Sequence, residues 1–235
     1  MSGHSKWSQI KRQKGVTDKK RANAFAKIAK IIAIAAHDGD NPTFNFKLRL
    51  AIDQAKNVNM PKDNIERAIK KGAGTDTDGA KLEEITYEGF GPNGSAFLVT
   101  AITDNRNRSS SFLKSTFSKH GGHLGSIHSV QWMFDLKGVL TAEASEKNEL
   151  AAIEAGAEDV NTEGDILIII TNPNQLESVK AALAKNNITT ANAEVTYKAK
   201  DPLQLTPEQT AKVCSLEDEI SDNEDVNEIY TNIKE

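Results

Sequence analysis

A single cysteine, Cys214, occurs in the 235 residues. No internal disulfide can form, so the fold must rest on buried apolar surface, and a reducing compartment fits. Long apolar runs are also missing. The longest apolar-rich stretch, residues 28–36, contains Lys30 and is far too short to span a bilayer. The opening MSGHSKWSQIKRQKG has no core for a signal peptide. Residues 1–17 hold no acid, as in an organellar presequence, but the segment is mostly Lys with a broken apolar pattern. It is read as part of the working protein, and the expected location is cytoplasmic, with no membrane partner.

Catalytic signatures are absent as well. There is no Walker loop, GxGxxG, GxSxG or HExxH. Cys214 lies in an acidic stretch, where a thiolate nucleophile is disfavoured. His120, His123 and His128 cluster, but no Cys or carboxylate pair completes a ligand set, and Gly121, Gly122 and Gly125 point to a turn with exposed imidazoles. The acids of 217–219 and 222–225 read as a solvated face. We therefore expect no catalytic residue, no metal and no cofactor. An enzyme with an unrecognised site would need a convergent acid, base or nucleophile that the sequence does not display.

The chain does carry a polarised charge. Residues 1–72 contain 16 Lys and Arg against 6 Asp and Glu, a net of +10, whereas residues 73–235 contain 13 against 27, a net of −14. The basic third attracts phosphate; the acidic remainder repels it and limits indiscriminate adhesion. With 38% hydrophobic and 26% charged residues the chain is expected to fold.

The periodicity predicts three helices first. Phe25, Ile28, Ile32 and Ala35/Ala36 form a stripe, with Gly39 as a stop. A second helix opens near Pro42 and carries Phe44, Leu48, Ala51/Ile52 and Ala55 on one side. A third starts at Pro61, buries Ile65, Ala68 and Ile69 and ends at Gly72. Their outer face holds Lys47, Arg49, Lys56, Lys62, Arg67, Lys70 and Lys71. The Gly-, Asp- and Thr-rich residues 72–79 form a linker where the charge changes sign.

Beyond it, strands are expected at 84–90 and 95–103 around the Gly91–Gly94 turn, then a helix capped by Asp104 or Asn105 and a strand at 129–135. Strand, helix, strand, strand, helix, strand follow at 139–143, 146–155, 159–162, 166–171, 173–185 and 193–197, the βαββαβ order of a ferredoxin-like domain. A helix at 207–220 and a strand at 225–233 are expected to return to the middle domain. The expected domains are thus 1–78, 79–136 plus 201–235, and 137–200, an α+β chain.

Two constellations suit a polyanion. In the first, Lys6, Lys11, Arg12, Lys14, Lys19, Lys20 and Arg21 surround one aromatic, Trp7. The cations neutralise phosphates, and Trp7 either stacks on a base or pins the tail to the helices. In the second, Asp104-Asn-Arg-Asn-Arg108 places Arg106 and Arg108 where a strand gives way to a helix N-terminus. That is an anion site, or else both arginines pair with acids. Arg49, with Asp53 and Gln54, is the one base-reading candidate on the second helix.

Gly3 to Trp7 (GHSKW), Asn59-Met-Pro61, Tyr87-Glu-Gly-Phe-Gly-Pro92, Asp104-Asn-Arg-Asn-Arg108 and Gly121-Gly-His-Leu-Gly125 together resemble the YebC/PmpR family over essentially the whole chain. One departure is Asn93, where relatives more often have Gly or a similar small residue. The resemblance implies a helical N-terminal domain and two ferredoxin-like α+β domains around a central cavity. It implies transcriptional regulation through promoter DNA or, as in mitochondrial relatives, translational activation, and it implies no catalysis. The family motif beginning near Met1 also argues against a presequence. Two targets stay open: promoter DNA, or ribosomal or messenger RNA with the ribosome as partner. A monomer is expected.

Overall fold

The computed structural model describes residues 18–74 and 81–234, with side chains from residue 22 onward. The tail that carries Lys6, Trp7, Lys11, Arg12 and Lys14, and linker residues 75–80, lie outside the described residues. The chain is mixed α and β, with seven α-helices and two four-stranded antiparallel sheets among the described residues. It divides into two compact units, residues 1–133 with 201–235, and residues 134–200. None of these helices is long and apolar enough to cross a membrane.

The first unit begins with three helices, α1 (Asp18–Ala36), α2 (Phe46–Asn57) and α3 (Lys62–Gly72). Ile28, Ile32, Ala35 and Ala36 of α1 pack with Leu48, Ala51 and Ala55 of α2 and with Met60, Ile65 and Ala68. The turn between α2 and α3 explains the Asn59-Met-Pro sequence. Asn59 sits at φ 58, the left-handed region that Asn tolerates. Its N–H donates to Lys56 O at 2.9 Å, and the Met60 N–H donates to Ala55 O at 2.9 Å. Together these form a Schellman closure, with buried Met60 supplying the apolar contact and Pro61 opening the next helix. Gly72 lies so close to the Ala33 carbonyl that a Cβ there would collide with backbone.

The start of α2 differs from expectation. Pro42 belongs to a turn, and the N-cap is Asn45, whose side chain accepts from the Leu48 N–H at 3.0 Å. Its Nδ2 donates to Ala35 O at 2.6 Å and Gly39 O at 2.7 Å, which fixes the cap against the end of α1. Phe44, expected on the apolar face of α2, is 88% exposed.

The rest of this unit is a sheet with two helices. Strands β1 (Glu83–Phe90) and β2 (Ala96–Thr103) form a hairpin, with Glu83 opposite Thr103 and Phe90 opposite Ala96. The turn holds Asn93 at φ 59, a conformation that explains why Asn is accepted where Gly is easier. Then come α4 (Arg106–Lys119), a two-residue β3 (His123–Leu124), and, after the second unit, α7 (Pro207–Ser221) and β8 (Val226–Thr231). The sheet order is β3-β1-β2-β8, all antiparallel. Phe97, Val99, Leu113, Phe117, Val213, Leu216, Ile220 and Ile229 make its core. Its chain order is hairpin first, unlike βαββαβ.

The second unit contains β4 (Phe134–Glu143), α5 (Glu146–Glu154), β5 (Asp159–Glu163), β6 (Ile166–Thr171), α6 (Leu176–Lys185) and β7 (Asn192–Ala199). The order β5-β6-β4-β7, antiparallel throughout, with α5 and α6 packed on it, is the ferredoxin-like arrangement. Here the expected strand at 129–135 is corrected. Residues 131–133 form a short 3-10 turn, and β4 runs unbroken through Lys137-Gly138. Gly138 marks a close approach, since Thr171 and Leu176 occupy the space a Cβ would need.

Candidate nucleic-acid interface

Lys19, Lys20 and Arg21 lie on the first turns of α1, but their side chains fall outside the described residues, as do Lys6, Trp7, Lys11, Arg12 and Lys14. On α2 and α3 the cations Lys47, Lys56, Lys62, Arg67, Lys70 and Lys71 are exposed. Surface pairs moderate several of them: Lys47 with Asp38 at 3.5 Å, Lys56 with Asp53 at 3.4 Å and Lys62 with Glu66 at 3.4 Å. Such exposed pairs are each worth about 0–1 kcal/mol and exchange readily for phosphate. Arg49 is partly engaged at home. Its Nη1 donates to Pro42 O at 3.1 Å, and its guanidinium lies 5.6 Å from the Phe46 ring centre.

Arg106 and Arg108 stand at the start of α4, whose N-cap is Asn105, accepting from the Arg108 N–H at 3.0 Å. Both arginines are paired with acids. Arg106 Nε donates to Glu83 Oε1 at 2.6 Å, and the pairing raises the arginine pKa. Arg108 forks onto Asp225, with Nη2 at 2.7 Å and Nε at 3.1 Å from Oδ2, and also meets Asp104 Oδ1 at 2.9 Å. Of the two readings of this motif, the geometry displays the pairing, because carboxylates from β1 and the α7–β8 connection reach the same spot.

Asp225 is a hub that the sequence did not disclose. It is 2% exposed, yet it receives Lys30 Nζ at 2.8 Å, the Arg108 fork, and the Ser109 and Thr103 hydroxyls at 3.0 and 3.1 Å. Burial pushes this carboxyl up, but the hydrogen bonds from Lys30 and Arg108 outweigh it and hold the pKa at about 2. Lys27 Nζ donates to Ser221 O at 2.6 Å, at the carbonyl end of α7, where a cation complements the helix dipole. Two lysines of α1 are thus used to tie the helical segment to the α7–β8 connection.

Glu88, inside the Tyr87–Pro92 motif, was likewise missed. It is 5% exposed and accepts the backbone N–H groups of His128, Val130 and Gln131 at 2.6, 2.7 and 2.8 Å. The histidines diverge: His120 meets Glu219 at 2.9 Å, His123 stacks on Phe90 at 5.2 Å and His128 lies 3.1 Å from Gln131. Hydrogen bonds from Lys119 and His120 lower the Glu219 pKa. Among the described residues no three or more His, Cys, Asp or Glu side chains are grouped to hold a metal.

Comparison with known proteins finds two matching family models. Residues 5–75 match the TACO1/YebC protein N-terminal domain, and residues 82–233 match the TACO1/YebC second and third domain. A protein of Desulforamulus reducens named "Probable transcriptional regulatory protein" is 46% identical over 242 residues, covering 100% of both chains. One of the same name from Desulfosudis oleivorans is 48% identical over 237 residues, covering 99% of this chain and 96% of its own. The crystal structure of a conserved hypothetical protein from Aquifex aeolicus is 42% identical, with a TM-score of 0.87 over 98% of this chain and 97% of its own.

Proposed function

The chain belongs to the TACO1/YebC family, and from that premise we propose that it regulates gene expression by binding nucleic acid, promoter DNA first, through its basic N-terminal helical domain. The observation that carries this reading is the net charge of +10 on residues 1–72 in a chain that is otherwise net −14. Phosphate contact falls to Lys6, Lys11, Arg12, Lys14, Lys19, Lys20 and Arg21, with Trp7 beside them. Arg106, 66% exposed, can exchange Glu83 for a phosphate at small cost. Arg108 can share a phosphate only while keeping its fork on Asp225. The relatives' name, transcriptional regulator, supports the choice of DNA.

One observation favours a second reading, docking on ribosomal or messenger RNA. Arg49, the base-reading candidate of α2, already uses its guanidinium on the Pro42 and Thr43 carbonyls, and Asp63 and Glu66 lie among the exposed cations of α3. A surface of that kind suits contacts to phosphate and shape more than readout of base edges.

Co-sedimentation with ribosomes at about 100 mM salt, set beside binding to a promoter duplex, separates the two targets. On either target, changing Lys11, Arg12, Lys14 and Lys19 to Ala is expected to weaken binding. The slope of log K against log salt should fall by about 0.7–0.9 per lost contact, roughly 3 in all. An unchanged slope would remove the tail from the interface.

A further inference from the structure

Phe44 is 88% exposed, and the helical core closes without it. The loop that carries it is nevertheless fully built. The Phe44 and Asn45 N–H groups both donate to Asn41 O, at 3.1 and 3.0 Å, and the Thr43 N–H donates to Asn41 Oδ1 at 2.9 Å. Arg49 caps the carbonyls of Pro42 and Thr43 at 3.1 and 3.4 Å. Buried Asn45 then bolts the loop to the end of α1 through Ala35 O and Gly39 O. A loop whose polar groups are satisfied in this way holds its tip in one place, and what it holds there is a bare aromatic ring.

The surroundings specify what such a ring meets. The side chains described between residues 22 and 72 include nine Lys and Arg against five Asp and Glu, and the basic tail adds to this excess. Lys47 and Arg49 follow Phe44 within five residues. Asp38 and Asp40 precede it, exposed, with Asp38 against Lys47. A polyanion drawn to the cations of this domain can meet this exposed ring through the uncharged face of a base.

We propose that Phe44 is a base-stacking contact: an unpaired nucleobase lies on its ring while the exposed cations of α2 and α3 hold the flanking phosphates. The base comes from a single-stranded stretch of nucleic acid, where it is free to stack. This rests on the proposal that the chain binds nucleic acid.

The test uses the full chain, with Phe44→Ala and Phe44→Trp, against a 12-nucleotide RNA, the same DNA strand, its duplex, and a strand with abasic positions. Phe44→Ala is expected to weaken binding to the base-bearing strands by about 5- to 150-fold, as for other base–aromatic contacts. The salt slope should not change, because no cation is lost. Phe44→Trp should retain affinity and add a fluorescence signal, over that of Trp7 and Trp132, which base-bearing strands quench and the abasic strand does not. The loss should be larger on the single strands than on the duplex, and an equal or larger loss on the duplex overturns the inference. Equal affinity of wild type and Phe44→Ala overturns the inference, and so does an equal loss on the abasic strand. So does a wild-type dimer that Phe44→Ala converts to monomer, since the ring would then cover a second copy. If the wild-type chain binds none of the strands, the failure belongs to the nucleic-acid reading itself.

Discussion

Replacing Glu88 by Ala is expected to lower stability by about 3 kcal/mol and to loosen the segment from His128 to Gln131 before the rest of its unit. The carboxylate is 5% exposed and bonded to three backbone N–H groups at 2.6–2.8 Å, one of them on the fully buried Val130. Truncation leaves those donors without their acceptor, at about 1–3 kcal/mol for each group that water cannot reach. His128 adds a further demand, since it sits at φ 66, a conformation that a non-glycine residue keeps only while its neighbours hold it. Glu88→Gln should fall between wild type and Ala, because the amide oxygen accepts while the NH2 group opposes the remaining donors. Amide hydrogen exchange reads this directly: in Glu88→Ala the His128 and Val130 amides should lose about 100-fold in protection. Protection unchanged from wild type would mean that the segment is held by something other than this carboxylate.

The contrast between what the sequence announced and what it withheld has a physical basis. Helical stripes are local. Ile28, Ile32 and Ala35 recur at the helical period, and the structure buries all three. The βαββαβ order of the second unit was legible for the same reason, since each of its elements is a short run with its own period. Phe44 misled because single-residue rules compete. A Pro two residues before a Phe reads as a helix start until Asn45 claims the cap. Glu88 and Asp225 were illegible for another reason. Their side-chain-bonded partners are 40 or more and 116 or more residues away, and nothing in the sequence marks either carboxylate as buried. A weak clue did exist for Asp225: Asp104-Asn-Arg-Asn-Arg108 offers more cation than its own acid can satisfy, so a distant carboxylate was owed to it.

Asp225→Asn tests that connection, with an expected loss of about 2–3 kcal/mol at neutral pH. The substitution keeps the shape and removes the charge that Lys30 and Arg108 share, and it turns an NH2 group toward donors. Losing one partner of a buried pair costs about 3–5 kcal/mol. The lower figure applies here because the Lys30 and Arg108 side chains are 22% and 50% exposed and can rehydrate. The pH dependence follows from the depressed carboxyl pKa, about 2 in the folded chain against an ordinary 3.8. Folding favours the ionised form, so this contribution is complete above about pH 4, and it disappears as the pH falls through 2. The difference of nearly two pKa units corresponds to about 2 kcal/mol. Urea unfolding of wild type and Asp225→Asn should therefore diverge by a constant amount from pH 5 to 7 and converge between pH 3.8 and 2. A gap at pH 2 as wide as at pH 7 would show that the carboxyl is not held ionised by Lys30 and Arg108. Because Lys30 belongs to α1, the same variant should also weaken the hold of the α7–β8 connection on that helix. Faster exchange of α1 amides around Lys30, with the α4 amides beyond Ser109 unchanged, would assign the lost energy to that tie and not to the cap of α4.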